Sequence, residues 1–218
     1  MVERVAVHPD EVRMTMISLG YGPEHQLAQI YPLSHANRQV FRITDQTGQS
    51  VVVKVRPADR EAERELRMIT ALVSSYRFSG AHFPTIRQVE FSGKVAVTMP
   101  YLGQSLPELE LAMDLDVIEH ETEYTSPPFP GFSATEIERL LGRLEKDHLN
   151  FAHSQGYIHG DVILPHHGPT NVVYHPEDNL LHLVDGEALA VATDETETRF
   201  TDEICDLREW MYANLERV

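Results

Sequence analysis

The 218-residue chain predicts an α+β protein: a β-rich N-terminal half with one main helix, then a short, mainly helical C-terminal half. Three observations carry this. "QVFRITD", "TGQ" and "SVVVKVRP" read in order as strand, turn and strand, with Val40, Phe41 and Ile43 as the apolar members of the first. "SATE" at 133 to 136 is a capping-box signature, and a helical stripe follows it: Ile137, Leu140, Leu141, Leu144, His148 and Phe151/Ala152. Hydrophobic residues make up 42% of the chain, enough for a packed core, yet no run reaches the roughly 20 apolar residues of a membrane helix.

The remaining elements follow in chain order. Residues 10 to 20 read as a short helix or an irregular entry segment, and the pattern turns β from 27 onward. "ADREAERELRMITALVSS" is helical, with apolar positions at 66, 69, 72 and 73. "TIRQVEFSGKVAVTMPY" reads as two strands around Ser92-Gly93. From Leu106 to Phe132 there are seven acidic residues and no Lys or Arg, and the stretch ends in "SPPFPGF". It reads as a linker-like acidic insertion. Beyond the capped helix, "PEDN" forms a turn between the strands "NVVY" and "LLHLVD". "DEICDLREWMYANLERV" closes the chain as a helix with Ile204, Leu207, Trp210, Met211 and Leu215 inward. The expected division is 1–102 as a first lobe, 103–132 as connector and insertion, and 133–218 as a second lobe, with a ligand cleft between the lobes.

Charge and composition narrow the partners. A formal net charge of −16 opposes binding to a nucleic-acid backbone, which rests on Lys and Arg. The single Cys205 provides no disulfide framework, and "MVERVAVHPDEVRM" lacks a signal-peptide pattern. The expectation is a cytoplasmic protein that binds neither nucleic acid nor membrane. His159, His166, His167 and His175 crowd one region, but their spacing matches no metalloenzyme signature, so zinc is not expected.

Phosphoryl transfer needs a cation on the phosphates, oxygen ligands for Mg²⁺ and a carboxylate near the attacking hydroxyl. Lys54 sits in the apolar strand "VVVKV", where an unpaired ammonium is costly to bury. Glu65 lies near the apolar stripe of the next helix and can reach back to it. Asp161 follows "YIHG", Asn171 precedes "VVY", and Asp185 ends "LLHLV". Singly, each reads as a snorkelling Lys, a solvated Glu or a turn residue. Together and in this order they are far more specific.

With "VVVKV", "RELRMITAL", "VAVTMPYLGQSL", "YIHGD…TNVVY", "LLHLVDGE" and "DLREWM", the chain resembles the protein-kinase-like superfamily over residues 30 to 103 and 133 to 212. "HGD" and "DGE" look most like aminoglycoside phosphotransferases, choline kinases and small atypical kinases. The resemblance implies a two-lobed kinase-like fold and ATP and Mg²⁺ as cofactors. It implies that Asp161 orients or deprotonates the acceptor hydroxyl, and that Asn171 and Asp185 hold Mg²⁺. Lys54 grips phosphates, steadied by Glu65. Ser34 and Asn37 line a glycine-free nucleotide loop, Met99 backs the adenine pocket, and Pro100 to Leu102 form the hinge. In the family the metal Asn follows the catalytic Asp by five residues. His166 stands there in this chain, and Asn171 comes ten after Asp161. We read a five-residue insertion inside "VILPHHGPT", because the 14-residue spacing from Asn171 to Asp185 looks like the family. The expected acceptor is a small-molecule hydroxyl, cationic if the acidic insertion acts as a lid. The alternatives are a minimal Ser/Thr protein kinase and a non-catalytic kinase-like binding module.

Overall fold

The computed structural model describes residues 8–31, 38–60, 62–63, 87–91, 93–114, 129–164, 168–184 and 189–217. The chain forms two compact units, Met1–Tyr101 and Leu102–Val218. Four helices are described and the largest sheet is antiparallel, so the α+β character agrees with the sequence pattern.

The first unit opens with α1 (Pro9–Ser18), capped by His8, whose ring accepts from Asp10 N. Proline at the first helical position costs no hydrogen bond, because that N–H has no partner inside the helix. A five-stranded sheet follows: β1 (Gln26–Ile30), β2 (Gln39–Thr44), β3 (Ser50–Pro57), β4 (Arg87–Phe91) and β5 (Lys94–Pro100), in the order β1-β2-β3-β5-β4. β2 and β3 form the hairpin that the alternation predicts, with Val40 opposite Lys54 and Phe41 opposite Val53. Phe41, Ile43, Val53 and Val55 turn to one face and bury Val12 and Met16 of α1. Full burial of each such side chain contributes about 1.5–3 kcal/mol. Because side chains alternate along a strand, Lys54 and Arg56 take the opposite face, with Val95 and Val97 of β5 as their cross-strand neighbours.

The second unit contains β6 (Gln104–Ser105), α2 (Leu106–Asp114), α3 (Ala134–Gln155), β7 (Tyr157–His159), β8 (Val172–His175), β9 (Leu180–Leu183), β10 (Leu189–Val191) and α4 (Asp194–Asn214). Ser133 and Glu136 complete the capping box of α3, and every expected stripe residue is buried. Gly156 ends the helix in the left-handed conformation at φ 76°. β8 and β9 pair as the predicted hairpin, and β6 joins β8 as a third strand. β7 and β10 pair separately. α4 starts at a Thr193 cap, earlier than the apolar pattern indicates, and buries Phe200, Ile204, Leu207 and Met211. Trp210 is only half-buried against this core.

One expectation needs correction. The stretch read as a linker from Leu106 begins as a helix, α2. Leu106 and Leu109 are buried in the core of the second unit. Ser105 N and Oγ both donate to Glu108 Oε2, at 2.7 and 2.9 Å. Apolar burial and a local cap outweigh the acidic composition there. Glu119, Glu121 and Glu123 of the proposed lid lie outside the described residues. Among the described residues, no helix is long and apolar enough to cross a membrane.

Candidate active site

In the second unit, a loop and a hairpin bring the predicted polar residues together. Asp161 follows β7, and its carboxylate is exposed. Asn171 stands at the head of β8, and its Nδ2 donates to the Asp161 carbonyl at 3.0 Å. The ten-residue interval is bridged because the loop closes on itself. Leu164 N donates to Gly168 O at 3.0 Å, and Gly168 N donates back to Leu164 O at 3.1 Å. Leu164 and Gly168, both between Asp161 and Asn171, are thus joined backbone to backbone. Gly168 has φ 67°, a conformation that a side chain disfavours.

The far end of the hairpin returns to the same place. Val184 N donates to Asn171 O at 2.9 Å. His159 Nε2 lies 3.0 Å from Val184 O. A carbonyl only accepts, so Nε2 carries the ring proton. Nδ1 is left as an acceptor and faces Asp161 N at 3.4 Å. One neutral imidazole therefore ties the residue before Asp185 to Asp161. Asp185 and His166 themselves lie outside the described residues.

Deeper groups hold this web. His148, in the apolar stripe of α3, accepts from His159 N through Nε2 at 2.7 Å. Its ring lies against Phe200, with centroids 4.7 Å apart. Burial, with His159 nearby, pushes its pKa down to about 3, so it stays neutral. Its Nδ1 has no hydrogen-bond partner among the described residues. Glu203 of α4 accepts from Val162 N at 2.7 Å and pairs with Arg199, Nε to Oε1 at 3.1 Å. Burial raises the Glu203 pKa, and the Val162 N–H and Arg199 oppose that rise. Arg199 also donates to the Gly160 carbonyl and stands 3.7 Å from Asp161 Oδ1.

The first unit carries the remaining candidates. Lys54 is only 6% exposed, so its ammonium is withdrawn from bulk water. Met99 is half-buried and pairs with Val52, while Pro100 ends β5 opposite Val51. Tyr101 N donates to Ser50 O at 3.0 Å. Leu102, half-buried, begins the second unit. Glu65, Ser34 and Asn37 lie outside the described residues.

Sequence reasoning passed over His148, Arg199 and Glu203 as site residues. Arg199 and Glu203 are four apart on one helix, the spacing at which opposite charges meet, and that signal was present. It also passed over a trio in the β8–β9 hairpin. His175, Asp178 and His182 each offer a ligand atom, and these atoms lie within 4.8 Å of one another. No family model matches this chain, and no curated protein matches it.

Proposed function

We propose that the chain is an ATP- and Mg²⁺-dependent phosphotransferase with a two-lobed protein-kinase-like fold, moving the γ-phosphate to the hydroxyl of a small molecule. The observation that carries this reading is the Asn171 amide donating to the Asp161 carbonyl at 3.0 Å. It brings the candidate base and a candidate metal ligand to one point despite the long interval.

The donor set suits the implied ion. With Nδ2 turned to Asp161, the Asn171 amide oxygen remains available, and a hard cation such as Mg²⁺ prefers oxygen ligands. Asn171 and Asp185 would hold it. Held there, Mg²⁺ would supply positive charge against the phosphates. Asp161 orients the acceptor hydroxyl and takes its proton. Lys54 supplies a cation to the α- and β-phosphates, with Glu65 as its partner. Ser34 and Asn37 give backbone N–H groups to the phosphates. Met99, Pro100 and Leu102 line the adenine site, with the Leu102 N–H as donor and the Pro100 carbonyl as acceptor. Positioning and charge neutralisation provide most of the rate.

A second reading, a non-catalytic nucleotide-binding module, has one observation in its favour. Arg199 stands 3.7 Å from Asp161 Oδ1, where it competes with an acceptor hydroxyl for the carboxylate. One experiment separates the two. Labelled ATP and Mg²⁺ are incubated with the full chain and a panel of hydroxyl-bearing metabolites, and nucleotide binding is followed in parallel by thermal shift. The phosphotransferase reading expects label transfer that Asp185→Asn abolishes in a folded protein. Nucleotide-dependent stabilisation without transfer to any acceptor, protein Ser/Thr included, favours the module. Full transfer by Asp185→Asn ends the metal assignment.

A further inference from the structure

The β8–β9 hairpin carries "HPEDNLLH", residues 175 to 182. His175 pairs with Leu180 and Val173 with His182. In an antiparallel pair, opposed residues share a face, and so do residues two apart. His175 and His182 are therefore diagonal neighbours on one face, with ring centroids 5.7 Å apart. Asp178 sits in the turn between them. Its position is set by Leu180 N, which donates to Asp178 Oδ1 at 3.0 Å, and by Asn179 at φ 54°, a left-handed conformation that Asn tolerates. One carboxylate thus faces both rings, Oδ1 at 3.1 Å from His175 Nδ1 and Oδ2 at 2.9 Å from His182 Nε2.

We propose that His175, Asp178 and His182 form a binding site for a divalent transition-metal ion of the Zn²⁺ class. Metal–ligand bonds of about 2.0–2.1 Å put neighbouring ligand atoms roughly 3 to 3.5 Å apart. The two His–Asp distances, each to a different carboxylate oxygen, lie at or just below that range, and the three ligand atoms lie within 4.8 Å of one another, so side-chain shifts are needed to admit the ion. Two imidazoles and one carboxylate suit Zn²⁺, Co²⁺ or Ni²⁺, whereas Mg²⁺ and Ca²⁺ prefer oxygens alone. This site is chemically distinct from the oxygen ligands proposed for Mg²⁺, and it does not depend on the phosphotransferase reading.

A separate observation points to a ligand. His175 Nδ1 is buried and finds no hydrogen-bond partner among the described residues, despite its nearness to Asp178. A polar atom in that state costs free energy that a bound ion would remove. The surroundings also favour binding. A second carboxylate, Asp147 of α3, acts electrostatically on the His182 ring. When the ion takes Nε2, the imidazole proton relocates to Nδ1. His175 and Asp178 remain about one-fifth exposed, which leaves a route in and room for a water ligand. At the hairpin's other end, the Val184–Asn171 hydrogen bond joins the two strands. An ion at the turn would close the hairpin from the opposite side and stiffen the strand that Asn171 heads.

The competing account is a metal-free clasp in which Asp178 only bridges two histidines. The test uses the full chain, stripped with chelator, in a Zn²⁺ competition titration against a chromophoric chelator. Co²⁺ loading is followed by its visible spectrum. We expect one tight equivalent of Zn²⁺ per chain. His175→Gln and Asp178→Asn should each weaken it at least about tenfold, since even residues behind a ligand cost about 10–100-fold. Both should lose the Co²⁺ bands. Exposed Glu177 is the control, and Glu177→Gln should bind like the parent. His175→Gln changes a partly exposed ring, so it stays informative if Asp178→Asn fails to fold. Equal Zn²⁺ affinity in parent and folded His175→Gln overturns the site, as does the absence of any equivalent bound more tightly than the chain's scattered histidines bind it.

Discussion

Lys54 and Asp161 are held by two different kinds of scaffold. Lys54 lies in the middle of β3, bonded on one side to β2 and on the other to β5. Its position comes from the backbone ladder, in which no single side chain is essential. Asp161 lies on a loop, and its position comes from side chains that bond to backbone: Asn171 to its carbonyl, His159 to its N–H, and Glu203 to the N–H of Val162. A ladder tolerates substitution because many bonds share the work. A web of single bonds does not, so the second unit should fail one residue at a time.

The largest expected effect lies in the web. If Asp161 is the base, Asp161→Asn lowers kcat by about 10²- to 10⁴-fold while nucleotide binding persists. Rate and thermal-shift measurements on one preparation check both, and an unchanged kcat removes Asp161 from the chemistry. The next comparison sets Asn171→Ala against His166→Ala and against Val40→Ala, which borders Lys54 in the ladder. Asn171→Ala should reduce transfer at least about tenfold at saturating Mg²⁺ if Asn171 is the proposed ligand, since it also removes the tie to Asp161. Val40→Ala and His166→Ala should stay near the parent. A large loss only in His166→Ala means that the metal ligand stands five residues after Asp161.

The third effect is on stability. The folded pKa of His148, about 3, lies below its ordinary 6.5. As pH falls, the unfolded chain takes up this proton first, so the contribution present above pH 6.5 is lost between about pH 6.5 and 3. The loss approaches about 1.4 kcal/mol per pH unit. His148→Gln removes the titrating ring and retains an oxygen for His159 N–H. Urea midpoints across this window should then show a shallower pH slope, by one proton. Identical slopes would mean that His148 is not the group responsible. The smallest effect concerns the segment from Leu164 to Gly168. Excision of 164 to 168 should change stability by no more than about 1 kcal/mol, because loop closure depends weakly on length. Collapse of the fold would show that the segment is structural.

Legibility followed the length and regularity of each element. The β2–β3 hairpin, the α3 stripe and the two strands after Asn171 each repeat a period long enough to read, and the structure has them where the pattern indicates. β6, β7 and β10 span two or three residues, too few for alternation to register. α2 was misread although "SLPE" at 105 to 108 has the same form as "SATE" at 133 to 136. Acidic composition and nearby prolines masked a local signal that the buried Leu106 and Leu109 support. Within the site, Asp161 and Asn171 were legible as residue types in order. The bonds that join them were not, because a side chain reaching a distant backbone atom leaves no periodic trace. His148 was read as one apolar position among others, and its acceptor role depends on where β7 passes.

The closed loop and the hairpin also differ in what lineages can do with them. Between Asp161 and Asn171, residues can be gained or lost between Leu164 and Gly168, whose backbones are already bonded to each other. Between Asn171 and Val184 the chain has no such freedom. A single insertion in either strand would send His175 or His182 to the opposite side of the ribbon, since strand faces alternate with every residue. Descendants of this chain should therefore drift in the first interval and hold the second constant. A pattern with an elastic gap before "TNVVY" and a rigid one after it would gather them.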